Sequence, residues 1–203
     1  MPKIKVSICI PVHNMKNKDF YLNRCLDSIR SQTFQDYEIV ITEDGKMAEN
    51  TNSAIKKAEG ELIKVMAMDD YFFDKDSLKK IVNAFEGQWL ISSCMHDRGD
   101  EGSGVFHHHK PYYDGKFKKG YNGFGGMSVL TILNDNPQLF DENLSWLIDC
   151  DYYERMYNKY GLPVLMEEPT VIVGLHDGQM SNILTLDYKQ SEQDYIDKKY
   201  EKN

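Results

Sequence analysis

The sequence lacks several features that mark specialised classes of protein. No stretch approaches the ~20 apolar residues of a membrane-spanning helix. Residues 1–5 lead into a short apolar run with a proline, which predicts a first strand and not a signal peptide. The four cysteines, at positions 9, 25, 94 and 150, form no CxxC pair and no zinc-binding spacing. We therefore expect buried, reduced thiols in a cytoplasmic protein, and leave open a peripheral association with membranes.

Positive charge is also scarce. The 203 residues include 24 Lys and Arg against 32 Asp and Glu, which gives a formal net charge of -8. This excess of negative charge argues against nonspecific binding of nucleic acid. An anionic substrate would need a local cation, and a bound metal ion would provide one. The length suits one domain, with or without a small extension.

What the sequence contains is an alternation of apolar runs with amphipathic segments. Four apolar runs predict strands, at residues 6–11, 38–42, 62–68 and 89–95. Three segments between them have helical spacing of apolar residues, from residue 19, over 50–58 and from residue 76 or 77. This order predicts an α/β fold with a parallel sheet. A nucleotide-type ligand would bind at the carboxyl ends of the strands.

The interpretation depends most on residues 62–71, an apolar run that ends abruptly at Asp69 and Asp70. Adjacent carboxylates repel each other and usually face a cation or strong hydrogen-bond donors. At the end of a parallel strand they would also face a ligand. A magnesium-type ion that holds a diphosphate meets both conditions. A solvated turn after the strand is the alternative interpretation.

The second half of the chain is less periodic. We interpret residues 97–126 as a mobile loop that faces the substrate. Three consecutive histidines lie within it, at 107–109, and consecutive side chains that point in different directions argue against a metal site there. Four further segments are interpreted as the start of a helix (128–133), a helix (146–160) and two short strands (163–166 and 171–174). The tail from residue 187 is polar, which predicts a surface helix or partial disorder.

Several motifs, in this order, resemble those of the family 2 glycosyltransferases, which have the GT-A fold. The resemblance extends from about residue 5 to residue 181. The matching segments are the opening strand and P-x-Y/H-N loop (6–14), the S-I-L-x-Q-T helix end (26–34), the strand that ends in D-D-G (38–45), the run that carries the DxD-type metal motif (52–70), F-D-E-x-L (140–144) and E-D-x-D-L-x-x-R (149–155).

The resemblance implies one GT-A domain over residues 1–203, with a Rossmann-like, mostly parallel sheet flanked by helices and a small extension on the acceptor side. It implies a nucleotide-binding half (1–96), an acceptor and catalytic half (97–181) and a polar tail (182–203). The implied activity is transfer of a sugar, with inversion, from a nucleoside-diphosphate sugar to a glycan or other hydroxyl acceptor. The first choice of donor is a UDP-sugar, and the implied cofactor is Mn²⁺ or Mg²⁺. A homodimer is possible under this interpretation and is left undecided.

The resemblance also implies roles for individual residues. Asp149 would be the catalytic base, and Asp151 is the alternative because both lie near the start of a helix. The implied metal ligands are Asp70, Asp69 and His176. The implied nucleotide-binding residues are Pro11, His13, Glu43, Asp44, Asn52 and Asp69.

The sequence departs from the family pattern at three positions. Glu43 stands where Asp is usual, Ala67 occupies the first acidic position of the longer D-x-D-D form, and Ile148 replaces a Glu before the base. A nucleotide-sugar-binding module with impaired catalysis therefore stays open. A nucleotidyltransferase is a further alternative. That class would require a glycine-rich basic loop after the first strand, and residues 12–18 contain lysines but no glycine.

Overall fold

The predicted alternation of strands and helices is present in the computed structural model, which describes residues 5–43, 45–98 and 104–201. The strands are β1 (Val6–Pro11), β2 (Tyr37–Thr42), β3 (Leu62–Val65), β4 (Tyr71–Phe72), β5 (Trp89–Asp97), β6 (Val105–His109), β7 (Leu130–Leu133) and β8 (Val164–Gly174). The α-helices are α1 (Lys18–Arg30), α2 (Met47–Lys57), α3 (Ser77–Ala84), α4 (Ile148–Tyr160), α5 (Met180–Ile183) and α6 (Leu186–Tyr200). Two 3₁₀ turns lie at Phe117–Lys119 and Met127–Val129.

The strands form one sheet in the order β2-β1-β3-β7-β5-β8-β4, and β6 pairs with β5. β1 is parallel to β2 and to β3, and β5 is parallel to β8. β7 runs in the opposite direction between β3 and β5, so that β3 and β5 point the same way. The carboxyl ends of β1, β3, β5 and β8 therefore lie on one side of the sheet. The predicted α/β class is confirmed, but the prediction of a mostly parallel sheet was wrong. Among the described strands, three pairs are parallel and four are antiparallel, so the sheet is mixed.

The central strands are buried on both faces. Every residue of β1 and every residue of β3 is buried, as expected for parallel strands covered by helices. The four cysteines are buried and free, as predicted. Among the described residues, no helix is long and apolar enough to cross a membrane.

Three predictions for the second half were wrong in detail. Residues 128–133 form a 3₁₀ turn and then β7, where the predicted helix start would lie. Residues 105–109, predicted as loop, form β6 along β5. The two strands predicted at 163–166 and 171–174 are one strand, β8, whose register slips opposite Ser92 and Ser93. Short apolar runs do not distinguish helix from strand, so pairing partners elsewhere in the chain decide them.

The polar tail is part of the fold. It forms the helix α6, which was one of the two predictions; the other was partial disorder. Glu192 and Ile196 of this helix are buried. At its end, Lys199 Nζ and the Tyr200 hydroxyl each donate to Asp151 Oδ1, at 2.6 and 2.9 Å. The tail thus packs against α4, the helix that carries the predicted base.

Candidate functional site

The candidate site lies where four strand ends converge. His13 follows β1, Asp69 and Asp70 follow β3, Arg98 follows β5 and His176 follows β8. In an open α/β sheet this is the side on which ligands bind.

Asp69 and His176 form a pair across the ends of β3 and β8. The Asp69 Oδ2 and His176 Nε2 atoms are 2.9 Å apart, and both side chains are largely buried. The His176 ring also packs against Tyr21, with ring centroids 5.2 Å apart. The Gly178 N–H donates to His176 Nδ1 at 3.1 Å, so that Nε2 carries the ring proton and donates it to Asp69.

Asp70 points away from this pair and into the fold. Its Oδ1 accepts a hydrogen bond from the Gly174 N–H at 2.9 Å, and Ser128 also hydrogen-bonds to it. Burial, together with the neighbouring Asp69, raises the pKa of Asp70 to about 7. These contacts make Asp70 an anchor that holds the end of β8 next to the loop after β3.

Lys64 lies fully buried near Asp70. Its Nζ donates to the backbone carbonyls of Val65 and Ser128, and burial lowers its pKa to about 7. A buried polar group needs such partners, because an unpaired one is costly in a low-dielectric interior. These buried hydrogen bonds stabilise the backbone next to Asp70.

Arg24 of α1 fixes the backbone at Asp69. Its Nη2 donates to the Asp69 carbonyl at 2.7 Å, and its guanidinium lies 4.3 Å from the ring centroid of Tyr71. Gly174 makes this approach possible, since a Cβ there would lie 2.5 Å from the Asp69 carbonyl oxygen and 3.0 Å from Arg24 Nη2. The orientation of Asp69 therefore depends on a small residue on the neighbouring strand.

Asp149 lies in the first turn of α4 and is partly buried. Asn122 Nδ2 donates to Asp149 Oδ2 at 3.0 Å, while Asn122 Oδ1 accepts from the N–H groups of Phe124 and Gly125. Burial raises the pKa of Asp149 to about 6. Such a carboxylate is ionised at neutral pH yet more basic than an exposed one, which suits a general base.

Asp151, the alternative base of the sequence analysis, is held on another side of α4, and its contacts favour Asp149 over it. Its carboxylate is fully buried and accepts from Arg155 Nε at 2.8 Å, in addition to the bonds from Lys199 and Tyr200. The physical reason is the helical period: two residues along a helix turn the side chain by about 200°. Asp151 ties α4 to α6.

Two neighbouring cavities lie between the partner of Asp149 and the partner of Asp69. One, of about 410 Å³, is lined by His96, His107, His109 and Asn122, among others. The other, also about 410 Å³, reaches His176. Arg98 and Leu175 line both cavities. A ligand that spans the two would therefore meet the partner of Asp149 at one end and the partner of Asp69 at the other.

The family assignment comes from comparison with known proteins. The sequence model of the family described as "Glycosyl transferase family 2" matches residues 7–51, from β1 into α2. An uncharacterised glycosyltransferase of Rickettsia typhi is 23% identical over 215 aligned positions, which cover 87% of this chain and 66% of that protein. These matches support the resemblance of the chain to glycosyltransferase family 2. The chain spans about two thirds of the length of this relative.

Solved structures show the fold of this chain. TarS of S. aureus in complex with UDP-GlcNAc has a TM-score of 0.66 at 16% identity, over 95% of this chain and 70% of that chain. The mannosyltransferase PcManGT of Pyrobaculum calidifontis, in complex with GDP-Man and Mn²⁺, has a TM-score of 0.58 at 14% identity, over 88% and 58%. The predicted GT-A fold is thereby confirmed.

The residues predicted to bind the nucleotide do not share one environment. Pro11 ends β1, and His13 lines an apolar cavity of about 430 Å³ together with Met47. The His13 Nε2 and Met47 Sδ atoms are 3.1 Å apart, and burial lowers the pKa of His13. Glu43 is exposed and forms an ion pair with Lys18 at 3.0 Å. Asp44 lies outside the described residues.

Asn52, predicted to bind the nucleotide, has a structural role in this fold. Its side chain is buried, donates to the Phe140 carbonyl at 2.9 Å and accepts from the Phe140 N–H at 2.8 Å. It also donates to Glu142 Oε1. An amide that pairs with both backbone groups of one residue acts as a structural clamp. Asn52 thus fixes the F-D-E-x-L segment, and its nucleotide-binding role stays a prediction.

Sequence reasoning missed three side chains of the candidate site. Asn122 and Arg98 lie in or beside the segment predicted as an irregular loop, and Arg24 is one of several polar residues on an amphipathic helix. No local pattern distinguishes them. Only the fold brings Asn122 to Asp149 and Arg24 to Asp69.

Proposed function

We propose that the chain is a metal-dependent, inverting glycosyltransferase that takes its sugar from a UDP-sugar, with Asp149 as the base. The observation that carries this proposal is that Asn122, the partner of Asp149, and His176, the partner of Asp69, line two neighbouring cavities that share Arg98 and Leu175. Support for the donor comes from TarS and PcManGT, whose structures are complexes with nucleotide sugars.

The Asp69–His176 pair fits a divalent ion. Two ligands at right angles, each ~2.1 Å from an octahedral ion, are about 3.0 Å apart. The observed separation of the Asp69 Oδ2 and His176 Nε2 atoms is 2.9 Å. Ligation through Nε2 would place the ring proton of His176 on Nδ1. The Gly178 N–H would then lose its acceptor.

Within the described parts of the chain, no set of three or more His, Cys, Asp or Glu side chains converges on a metal position. Diphosphate oxygens and water would therefore complete the coordination, as is usual for Mg²⁺ and similar ions. When bound, such an ion stabilises the negative charge that grows on the leaving diphosphate. We assign Asp69 and His176 as its ligands in this proposal, with Asp70 as the buried support.

Asp149 takes the proton of the acceptor hydroxyl as that oxygen attacks the anomeric carbon. Asn122 orients the carboxylate, and the raised pKa of Asp149 strengthens it as a base. A double displacement would need a second carboxylate as the nucleophile. Asp151, the nearest candidate along α4, is held in buried ion pairs. The arrangement supports a single displacement with inversion.

The experiment that tests the proposal is thermal melting with a panel of nucleoside diphosphates, each with Mn²⁺, Mg²⁺ or a chelator. A ligand at ~100 times its Kd adds about 2.7 kcal/mol to the free energy of unfolding. We expect UDP with Mn²⁺ to stabilise the protein, and both the chelator and Asp69→Asn to abolish the shift. Asp27→Asn, an exposed change on α1, is the matched control and should retain it.

Release of sugar from the UDP-sugar separates an enzyme from a binding module. We expect slow metal-dependent hydrolysis of the donor by the wild type and none by Asp149→Asn. If no diphosphate stabilises the protein, the donor site is wrongly assigned. If UDP binds but no donor is ever cleaved or transferred, the chain is a binding module.

A further inference from the structure

The segment that leads into α4 is held by an unusual cap. Residues 145–147 precede the helix and need hydrogen-bond acceptors for their buried or half-buried N–H groups. The acceptor comes from α6, more than forty residues further along the chain: Glu192 is buried, and its Oε1 accepts from the Ser145 N–H at 2.7 Å. Its Oε2 accepts from the N–H groups of Trp146 and Leu147, both at 2.9 Å.

This cap lies immediately before the proposed base. Asp149 follows Leu147 by two residues, so the three N–H groups that Glu192 holds determine where the first turn of α4 begins. A carboxylate at this position also interacts favourably with the positive end of the helix dipole. Three charge-assisted hydrogen bonds to one buried carboxylate define a fixed geometry, because each is shorter and stronger than a neutral bond.

The same helix also contacts the 3₁₀ turn that precedes Asn122, the partner of Asp149. Gln193 Nε2 donates to the Lys118 carbonyl at 2.7 Å, and Lys118 Nζ lies 4.9 Å from the ring centroid of Tyr200. Lys118 belongs to the 3₁₀ turn that precedes Asn122. α6 therefore contacts both segments that bring Asn122 to Asp149.

We propose that Glu192 is a positioning residue for the transfer reaction: through the backbone before α4 it fixes the Asp149 carboxylate against Asn122 and toward the cavity. The inference rests on the proposed function, because it assigns Glu192 a role only if Asp149 acts as the base. It gives the polar tail a part in catalysis without contact to the substrate. Glu192 should affect the rate of the chemical step more than the binding of the donor.

The test compares Glu192→Ala and Glu192→Gln with Asp194→Asn, an exposed acid of the same helix, as the matched control. We expect Glu192→Ala to lower kcat at least tenfold, while KM for the donor and the Kd of UDP change less than threefold. Glu192→Gln keeps one oxygen acceptor and should recover part of the loss. The control should behave as the wild type.

Hydrogen exchange gives a second readout that does not need turnover. In Glu192→Ala, the amides of residues 145–147 should exchange at least tenfold faster, while those of the central strands keep their wild-type rates. Unchanged exchange at 145–147, or an unchanged kcat in folded Glu192→Ala, would overturn the inference alone. A wild type that binds UDP but neither transfers nor hydrolyses any donor would instead overturn the proposed function, and the catalytic role of Glu192 with it.

Discussion

Replacing Asp149 by asparagine should make the protein more stable and less active at neutral pH. The structure raises the pKa of Asp149 from its ordinary value of 3.8 to about 6, chiefly by burial. A difference of about two pKa units corresponds to about 3 kcal/mol against the ionised form in the fold. Because the side chain is only partly buried, we expect a gain of roughly 1–2 kcal/mol for Asp149→Asn at pH 7.5.

The sign of the pH dependence follows from the raised pKa. Above pH 6 the carboxylate is ionised in both states, and the folded state bears the full penalty. Below pH 3.8 it is protonated in both states and the penalty is absent. The gain from Asp149→Asn should therefore shrink as the pH falls, to about half its neutral value at pH 5.

The assay is urea denaturation of the wild type and Asp149→Asn at pH 7.5 and pH 5, together with kcat at pH 7.5. Loss of a general base should lower kcat by ~10²–10⁴. Asp19→Asn, an exposed acid in the first turn of α1, controls for the effect of a helix-terminal charge and should change stability by less than about 1 kcal/mol. A destabilised Asp149→Asn at pH 7.5, or a gain that is the same at both pH values, would refute the reasoning.

Three further changes test the surroundings of the site. Gly174→Ala should abolish metal-dependent binding of UDP in the melting assay, because the new Cβ collides with the Asp69 carbonyl. The control is Gly126→Ala, where a Cβ meets nothing within 4 Å, and it should bind UDP as the wild type does. Asn52→Ala should lower the free energy of unfolding by about 2–4 kcal/mol in urea and leave the Kd of UDP unchanged, since two buried backbone groups lose their partner. Asp151→Ala should lower the free energy of unfolding by about 1–3 kcal/mol in the same assay, because Arg155 and Tyr200 lose a buried acceptor. Lys199 keeps its ion pair with Asp141, and unchanged stability would contradict the ion-pair network.

The first half of the fold was predictable because its signals are local. Buried parallel strands appear as continuous apolar runs, and the helices between them carry a clear period. The predicted ends of the first two strands match the structure, whereas β3 ends at Val65, three residues before the predicted end of its strand. The importance of residues 62–71 also followed from two adjacent carboxylates after a buried run, without any knowledge of the partners.

The second half was less predictable because its structure depends on distant partners. β7 is four residues long and exists because it fits between β3 and β5. A strand of this length carries too few residues to show a period. β6 likewise forms on β5 across a register shift between Met95 and His96, which no local pattern indicates.

The roles within pairs of neighbouring acids also needed the structure. The sequence does not predict that Asp69 hydrogen-bonds to His176 while Asp70 accepts a hydrogen bond from the Gly174 N–H. The same holds for Asp149 and Asp151, which differ in burial and in partners although they lie two residues apart. Burial and hydrogen bonds, not residue type, separate a reactive carboxylate from a structural one.

The most direct test of the account is X-ray diffraction from crystals grown with UDP and Mn²⁺, recorded at the manganese absorption edge. The account predicts one anomalous peak in contact with Asp69 and His176, with the UDP diphosphate on its far side and the Asp70 carboxylate still bound to the Gly174 N–H. A peak ligated by Asp70, or UDP bound away from the ends of β1, β3 and β8, would contradict it.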